Sequence, residues 1–460
     1  MLLSDVRPGF RRHSPGSLWR GVTAAAGALL VLAVGACSSP PSSHRRPDAD
    51  LALYRHVVAQ VEDSYVEPVG EDKLVTNALK GMLNGLDPHS DYMTESEYQD
   101  MLDDSEGEFA GIGTELTRED GHPEVIAPIE DTPAARAGIR PGDVFLKIDG
   151  KATDGMSLKD VVDDLRGPPG STVSVTIGRR NTRPFDVKLT RAVIHVASVK
   201  WQIEPGRIGY ARITSFAEKT QREFVAALAA MNGKAGGKLD GFVLDLRNDP
   251  GGLLDEAVDI AGDFLDDGVV VSTRGRDADD NRVYRAPSAG DRLKGIPVAV
   301  LINGASASAS EIVAGALQDR HRATILGTRS FGKGSVQTII PLDGRGALRL
   351  TTARYYTPSG RSIQAEGIIP DKIVALPAKD ALPGTEMLHE ADLRGALDAG
   401  TARSGRHRPG PADTTIAEDD ASIDPTIIGT SRDPQLATAL AELRQMARRP
   451  MTRAQASDGR

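Results

Sequence analysis

A single cysteine, Cys37, in 460 residues excludes any intrachain disulfide. No H-x-x-x-H spacing and no cysteine pair occurs, so nothing in the sequence supports a metal centre. Positive charge is short as well. Net charge is −9 and no basic stripe stands out, which excludes a general attraction to nucleic acid. The N-terminal apolar run, Val22 to Ala36, has about 15 residues, short for a membrane span. Histidines are few. His195 lies in a Val-rich strand and His321 in a charged turn near Asp319, whose plain reading is a charge partner for Arg322. A Ser-His-Asp triad therefore has no marked base.

What the N-terminus does have is a targeting pattern. Arg7, Arg11, Arg12 and Arg20 precede the apolar run, which ends Val34-Gly35-Ala36-Cys37. This resembles a bacterial lipobox, which implies lipidation of Cys37 and export to the cell envelope, the periplasm, with a membrane anchor. An uncleaved signal anchor with an incidental cysteine is the alternative. Residues 1–36 read as a signal peptide. Residues 37–50, rich in Ser, Pro and Arg, read as a flexible tether.

The length implies two or three domains beyond that. Residues 51–105 carry apolar residues at helical spacing, including Leu51, Tyr54, Val57 and Val58. Leu86-Asp87-Pro88-His89-Ser90 is a turn, in which His89 reads as a turn or packing residue. Residues 106–192 show short strand-like runs, among them Val144–Ile148 and Val173–Ile177, punctuated by glycine, with helices at Pro133–Ala137 and Leu158–Leu165. Residues 193–375 alternate strands and helices. Gly241–Leu246, Val269–Ser272, Ile296–Ile302 and Ala323–Leu326 read as strands of a largely parallel sheet. Residues 376–460 read as a mostly disordered tail with one helix, Pro434–Arg448.

Two small-residue turns in the third region point to chemistry. Ser308 follows a strand and opens a helix, where unpaired amides and the helix dipole favour an oxyanion. The Ala309 amide is one expected donor. The turn Asn248-Asp249-Pro250-Gly251-Gly252 is the expected source of the second. Ser308-Ala309-Ser310-Glu311 equally fits a capping box, and Ser306 and Ser310 are further candidate nucleophiles. Lys333 lies 25 positions on, between Gly332 and Gly334 in apolar surroundings. Burial disfavours an ammonium, and a neutral lysine can deprotonate a serine. The same stretch, Gly327 to Lys333, matches G-x-x-x-x-G-K. Gly334 stands where a phosphate loop needs Ser or Thr, and a strand rather than a helix follows.

Ser306-Ala307-Ser308-Ala309-Ser310-Glu311-Ile312, Ala316-Leu317-Gln318-Asp319 and Phe331-Gly332-Lys333-Gly334-Ser335-Val336-Gln337 together resemble the carboxyl-terminal processing proteases. Asp245-Leu246-Arg247-Asn248, Pro250-Gly251-Gly252, Leu86-Asp87-Pro88-His89-Ser90 and Ala110-Gly111-Ile112-Gly113 fit the same family, over roughly residues 51–375. The resemblance implies an α/β fold: a mostly parallel-sheet peptidase core, a helical N-terminal region and an inserted β-rich PDZ domain. It implies a Ser308–Lys333 dyad with Gln337 orienting the lysine, and an oxyanion hole from Ala309 and Gly251 or Gly252. It also implies a loop, Ala110, Gly111, Ile112 and Gly113, that receives a free C-terminus, with Arg166 coupling capture to activity. Asn248-Asp249 stands where many members have two asparagines. No cofactor or metal is implied. Expected partners are proteins with apolar, unstructured C-termini and, through the anchor, a membrane; a homodimer and an adaptor lipoprotein stay open. The rival is a non-catalytic PDZ scaffold.

Overall fold

The protein is described by a computed structural model over residues 47–119, 121–129, 131–287, 289–376, 381–386, 388–399, 421–423 and 426–448. The signal peptide, Cys37 and the tether up to residue 46 lie outside these residues. The chain divides into two compact units. In the smaller, the described part is the helix Pro47–Ser64 and the first turns of the helix Glu71–Asn84, and Leu51, Leu53 and Val57 are exposed on it.

The larger unit begins with a departure from the expected all-helical region. Asp91–Met93 is a strand, paired antiparallel with Ala347–Arg349. Proline at position 88 ends the helical period, and Tyr92 and Met93 are buried. The helix Glu95–Glu106 follows, capped by Thr94 and Glu97 and closed by Gly107 at φ 72.

Residues 108–195 form a β-rich domain on a paired stem. Glu108–Gly111 leads into it and Ala192–His195 leads out, and the two strands pair with each other. Between them is a sheet in the order Thr114–Glu119, His122–Pro128, Val144–Ile148, Thr172–Gly178, Phe185–Thr190. The helix Leu158–Leu165 closes its core, with Val161 against Phe145, Val175 and Ile177, all fully buried.

The remaining residues build two sheets. The first runs Val199–Glu204, Ile208–Ile213, Gly241–Asp245, Val298–Ile302, Thr324–Gly327, Lys372–Ile373, parallel except for the first pair. Side chains alternate across it. Phe242, Leu244, Val298, Val300 and Ile302 face the helices Thr220–Lys234, Leu254–Gly262 and Ala309–Asp319. Val243, Ala299 and Leu301 face Leu436, Ala439, Leu440 and Leu443 of the helix Pro434–Arg448. That last helix, expected as an isolated element of a loose tail, therefore packs on the central strands of the sheet. Val269–Gly275 is not in this sheet, contrary to the parallel reading. It pairs antiparallel with Ala347–Tyr356 in a second sheet that also holds Asp91–Met93, Arg282–Arg285 and Ser335–Pro341. A run of β-branched residues marks a buried strand but carries no record of its partner.

A fully buried ion network ties the C-terminal helix to the parallel sheet. The Arg247 guanidinium donates to Asp245 at 2.9 and 2.5 Å, to Asp433 at 3.0 and 2.6 Å and to Gln435 at 2.9 Å. Asp433 also caps the helix, accepting the Leu436 N–H at 2.9 Å. Removing one partner leaves a buried charge short of its counterion. Asp433→Ala should therefore lower unfolding stability by about 3–5 kcal/mol, read as a shift in the urea midpoint.

Candidate active site

The turn that carries Ser308 is over-determined by backbone bonds. It joins the strand Val298–Ile302 to the helix Ala309–Asp319. Ser308 has φ 55 and ψ −111, a conformation costing a non-glycine residue about 1–3 kcal/mol. Asn303 and Asn248 are cross-linked by two bonds: Asn248 N–H to Asn303 Oδ1 at 3.0 Å and Asn303 Nδ2 to Asn248 Oδ1 at 2.6 Å. Ala307 N–H donates to Asp249 O at 3.0 Å. The Ser306 hydroxyl donates to Leu246 O at 2.8 Å, and the Ser310 hydroxyl donates to Asp249 O at 3.1 Å. Both of those serines are spent on fixing the turn. The Ser308 hydroxyl sits over the first helical turn in capping-box layout but without a capping hydrogen bond.

Ser308 instead lines a cleft of about 630 Å³, together with Lys333, Gln337, Gly251 and Gly252. No histidine lines it. His89 Nε2 is 2.7 Å from the buried carboxylate of Glu390, and His195 pairs with Glu108 at 2.9 Å. Asp319 pairs with Arg361 at 2.6 Å, not with Arg322, which pairs with Asp291 at 2.7 Å.

Lys333 is held by its backbone rather than by its ammonium. Its N–H donates to Glu311 Oε2 at 2.9 Å. Burial, reinforced by the positive charge of Arg349, moves its pKa below the usual lysine value, against the pull of Glu390, Glu311 and Asp87. Gln337 Nε2 donates to Ser335 Oγ at 3.0 Å and to Thr351 Oγ1 at 3.3 Å, and the Thr351 hydroxyl donates to Asp87 at 3.0 Å. Among the described residues no hydrogen bond joins Lys333 Nζ to Ser308 Oγ or to Gln337.

The glycine turn abuts the serine turn directly. A Cβ on Gly251, which has φ 95, would stand 2.8 Å from Ala309 N and 2.9 Å from Ser308 Cβ. A Cβ on Gly252, at φ 151, would stand 2.3 Å from Phe216 O. The Gly251 N–H is already taken, donating to Asp249 Oδ1 at 2.8 Å. The amides of Gly252 and Ala309 have no such partner among the described residues. Of the two glycines left open by the sequence, Gly252 is thus the one with a donor to spare. Asp249 itself is wholly buried, and burial raises its pKa to about 8.

Residues 207–374 match peptidase family S41, and residues 124–179 match the PDZ domain. The chain is 48% identical over 369 residues to a carboxy-terminal-processing protease of Bartonella bacilliformis, covering 80% of this chain and 85% of that one. It belongs to peptidase family S41, among the carboxy-terminal-processing proteases. A probable CtpA-like serine protease of Staphylococcus saprophyticus is 34% identical, with 78% of this chain and 72% of that one covered. Among solved structures, a photosystem II D1 C-terminal processing protease is 30% identical, covers 71% of this chain and 93% of that one, and superposes with a TM-score of 0.43.

The peptidase has a second cavity, of about 200 Å³, in its PDZ domain. Gly111, Ile112, Gly113 and Arg166 line it with Phe109, Leu116, Val162 and Leu165; Ala110 does not. Ala110 lies in the paired stem, and its carbonyl accepts the Gly167 N–H. Gly113 leaves no room for a side chain, since a Cβ there would stand 2.4 Å from Thr132. Arg166 stacks 5.5 Å from the Phe109 ring centroid and reaches Asp104 at 3.5 Å. Asp104 lines the cleft that holds Ser308, so one ion pair spans the two cavities. Burial raises the Asp104 pKa, with Arg166 opposing.

The sequence reasoning missed Asp249 as a support of the glycine turn, and it missed the Asp87–Thr351–Gln337 chain. Only their inclusion in family-like motifs marked them. The Asp249 assignment is testable through pH. Its carboxyl binds a proton more tightly folded than unfolded, so its stabilising contribution is complete below its unfolded pKa of 3.8 and is lost as pH rises through about 8. Asp249→Asn keeps the acceptor and cannot ionise. Its stability relative to wild type should therefore improve between about pH 5 and about pH 8, measured by urea denaturation.

Proposed function

We propose that the peptidase is an exported, lipid-anchored serine endopeptidase that cuts proteins near the C-terminus with a Ser308–Lys333 dyad. The observation that carries this reading is that, of three clustered serines, only Ser308 has its hydroxyl free of turn bonds and lines the cleft that Lys333 also lines. Neutral Lys333 takes the Ser308 proton as Oγ attacks the scissile carbonyl. The amides of Ala309 and Gly252 receive the oxyanion, each such donor being worth about 10²–10³ in rate. The tetrahedral intermediate collapses as the protonated lysine gives its proton to the departing amine. A water then hydrolyses the acyl-enzyme by the same route in reverse. Desolvation lowers the Lys333 pKa and so favours the neutral amine that can act as the base.

Gln337 serves as the orienting group for Lys333 once the two come within bonding distance, which requires it to leave Ser335 and Thr351. A substrate tail adds as a strand at the PDZ groove, with its carboxylate on the Ile112–Gly113 loop and its last side chain among Leu116, Val162 and Leu165. Such a tail competes with Asp104 for Arg166, and this links capture to the cleft. Preferred substrates are therefore proteins with apolar, unstructured C-termini. Lipidation at Cys37 holds the enzyme at a membrane of the cell envelope.

Ser308→Ala and Lys333→Ala should each reduce cleavage of an unfolded protein substrate by on the order of 10⁴-fold or more. A peptide with an apolar C-terminus should bind both variants as it binds wild type. Normal cleavage by either variant refutes the dyad. Binding with no cleavage by the wild-type protein, with or without tail peptide, favours the PDZ scaffold instead. Cys37→Ala should move the protein from the membrane fraction to the soluble envelope fraction. Retention in the membrane would count against a lipid anchor.

A further inference from the structure

Glu311 is a fully buried acid that the proposed chemistry does not use. Sequence spacing marks it only as the far end of a capping box. Its carboxylate does more than cap. Oε2 accepts the Ser308 N–H at 2.8 Å and the Lys333 N–H at 2.9 Å. Oε1 accepts the Gly332 N–H at 2.7 Å and the Ser330 hydroxyl at 2.5 Å. One side chain thus grips the nucleophile's turn and the base's turn, and a single oxygen is shared by the backbone amides of the two residues.

Every group that meets this carboxylate is a donor. Ser330 Oγ already accepts the Ile368 N–H at 2.6 Å, so its one hydrogen is directed at Glu311. A hydrogen on either carboxylate oxygen would face donors, which makes the anion the form that fits. Burial works the other way and raises its pKa to about 7. An anion kept at that cost in a dry position is not needed to start a helix, since a hydroxyl cap alone would do so.

Resting on the Ser308–Lys333 reading, we propose that Glu311 is a positioning residue: it fixes the distance between nucleophile and base by holding both of their backbone amides with one carboxylate. Neither reacting side chain is constrained by a bond to the other, so the register of the two turns sets their approach. A misplacement of about 1 Å in such a pair costs about 10²-fold in rate.

Glu311→Gln keeps the shape, retains one acceptor oxygen and points an amide nitrogen at two donors. In the full-length protein it should lower kcat by about 10²-fold with KM unchanged. It should slow labelling of Ser308 by a fluorophosphonate by a similar factor, while thermal unfolding shows one cooperative transition. Glu311→Asp keeps the charge but is one methylene short, and it should also lose kcat at unchanged KM. Native kcat in a folded Gln or Asp variant overturns the proposal. Failure of both variants to fold overturns it too, because Glu311 would then be a folding residue first. Ser308→Ala is run alongside: if it stays active, the dyad itself has failed, whereas an inactive Ser308→Ala beside a fully active Glu311→Gln removes only the positioning role.

Discussion

Two backbone turns, 248–252 and 303–308, press against each other at Gly251, and both contribute residues to the cleft. Gly251 has no Cβ, and none could be accommodated against Ala307 O and Ala309 N. The contact lets the Asn248–Asn303 amide pair close and lets Asp249 O receive both Ala307 N–H and the Ser310 hydroxyl. Each neutral bond is worth about 1 kcal/mol, and several together offset the 1–3 kcal/mol held in the Ser308 backbone. The residue in the unfavourable conformation is the one of the three serines whose hydroxyl is not bonded to a backbone carbonyl.

Electrostatics around the cleft are arranged against charge. Glu311 and Asp249 are pushed up by burial, to about 7 and about 8, while Lys333 is pushed down. The three shifts share a cause, the exclusion of water, yet have different consequences. A raised acid holds its proton more tightly in the fold, whereas a lowered lysine gives its proton up more readily. The raised acids and the lowered lysine are thus opposite outcomes of one dry environment.

Much of the architecture was legible because local chemistry decided it. Glycine punctuated the PDZ strands, and the helix Leu158–Leu165 was read with the bounds it has. Lys333 stood out through its pairing with the Ser308 turn, since a lysine between two glycines is otherwise read as a solvated turn residue. What could not be read was partnership over distance. Val269–Gly275 looks like any buried strand, and only its pairing with Ala353–Tyr356 puts it in the second sheet. Arg247 and Asp433 are separated by 186 positions, so nothing local marks either as half of a buried pair. That Ser306 and Ser310, the further candidates beside Ser308, are bonded to backbone carbonyls could not be read from the sequence either.

The stem of the PDZ domain has a mechanical consequence. Glu108–Gly111 and Ala192–His195 leave and rejoin the peptidase side by side, hydrogen-bonded to each other. The domain is thus a pendant on a double-stranded ribbon, and its rotation need not stretch or slacken the polypeptide on either side. The ribbon and the Arg166–Asp104 contact are two physical connections between this domain and the rest of the peptidase.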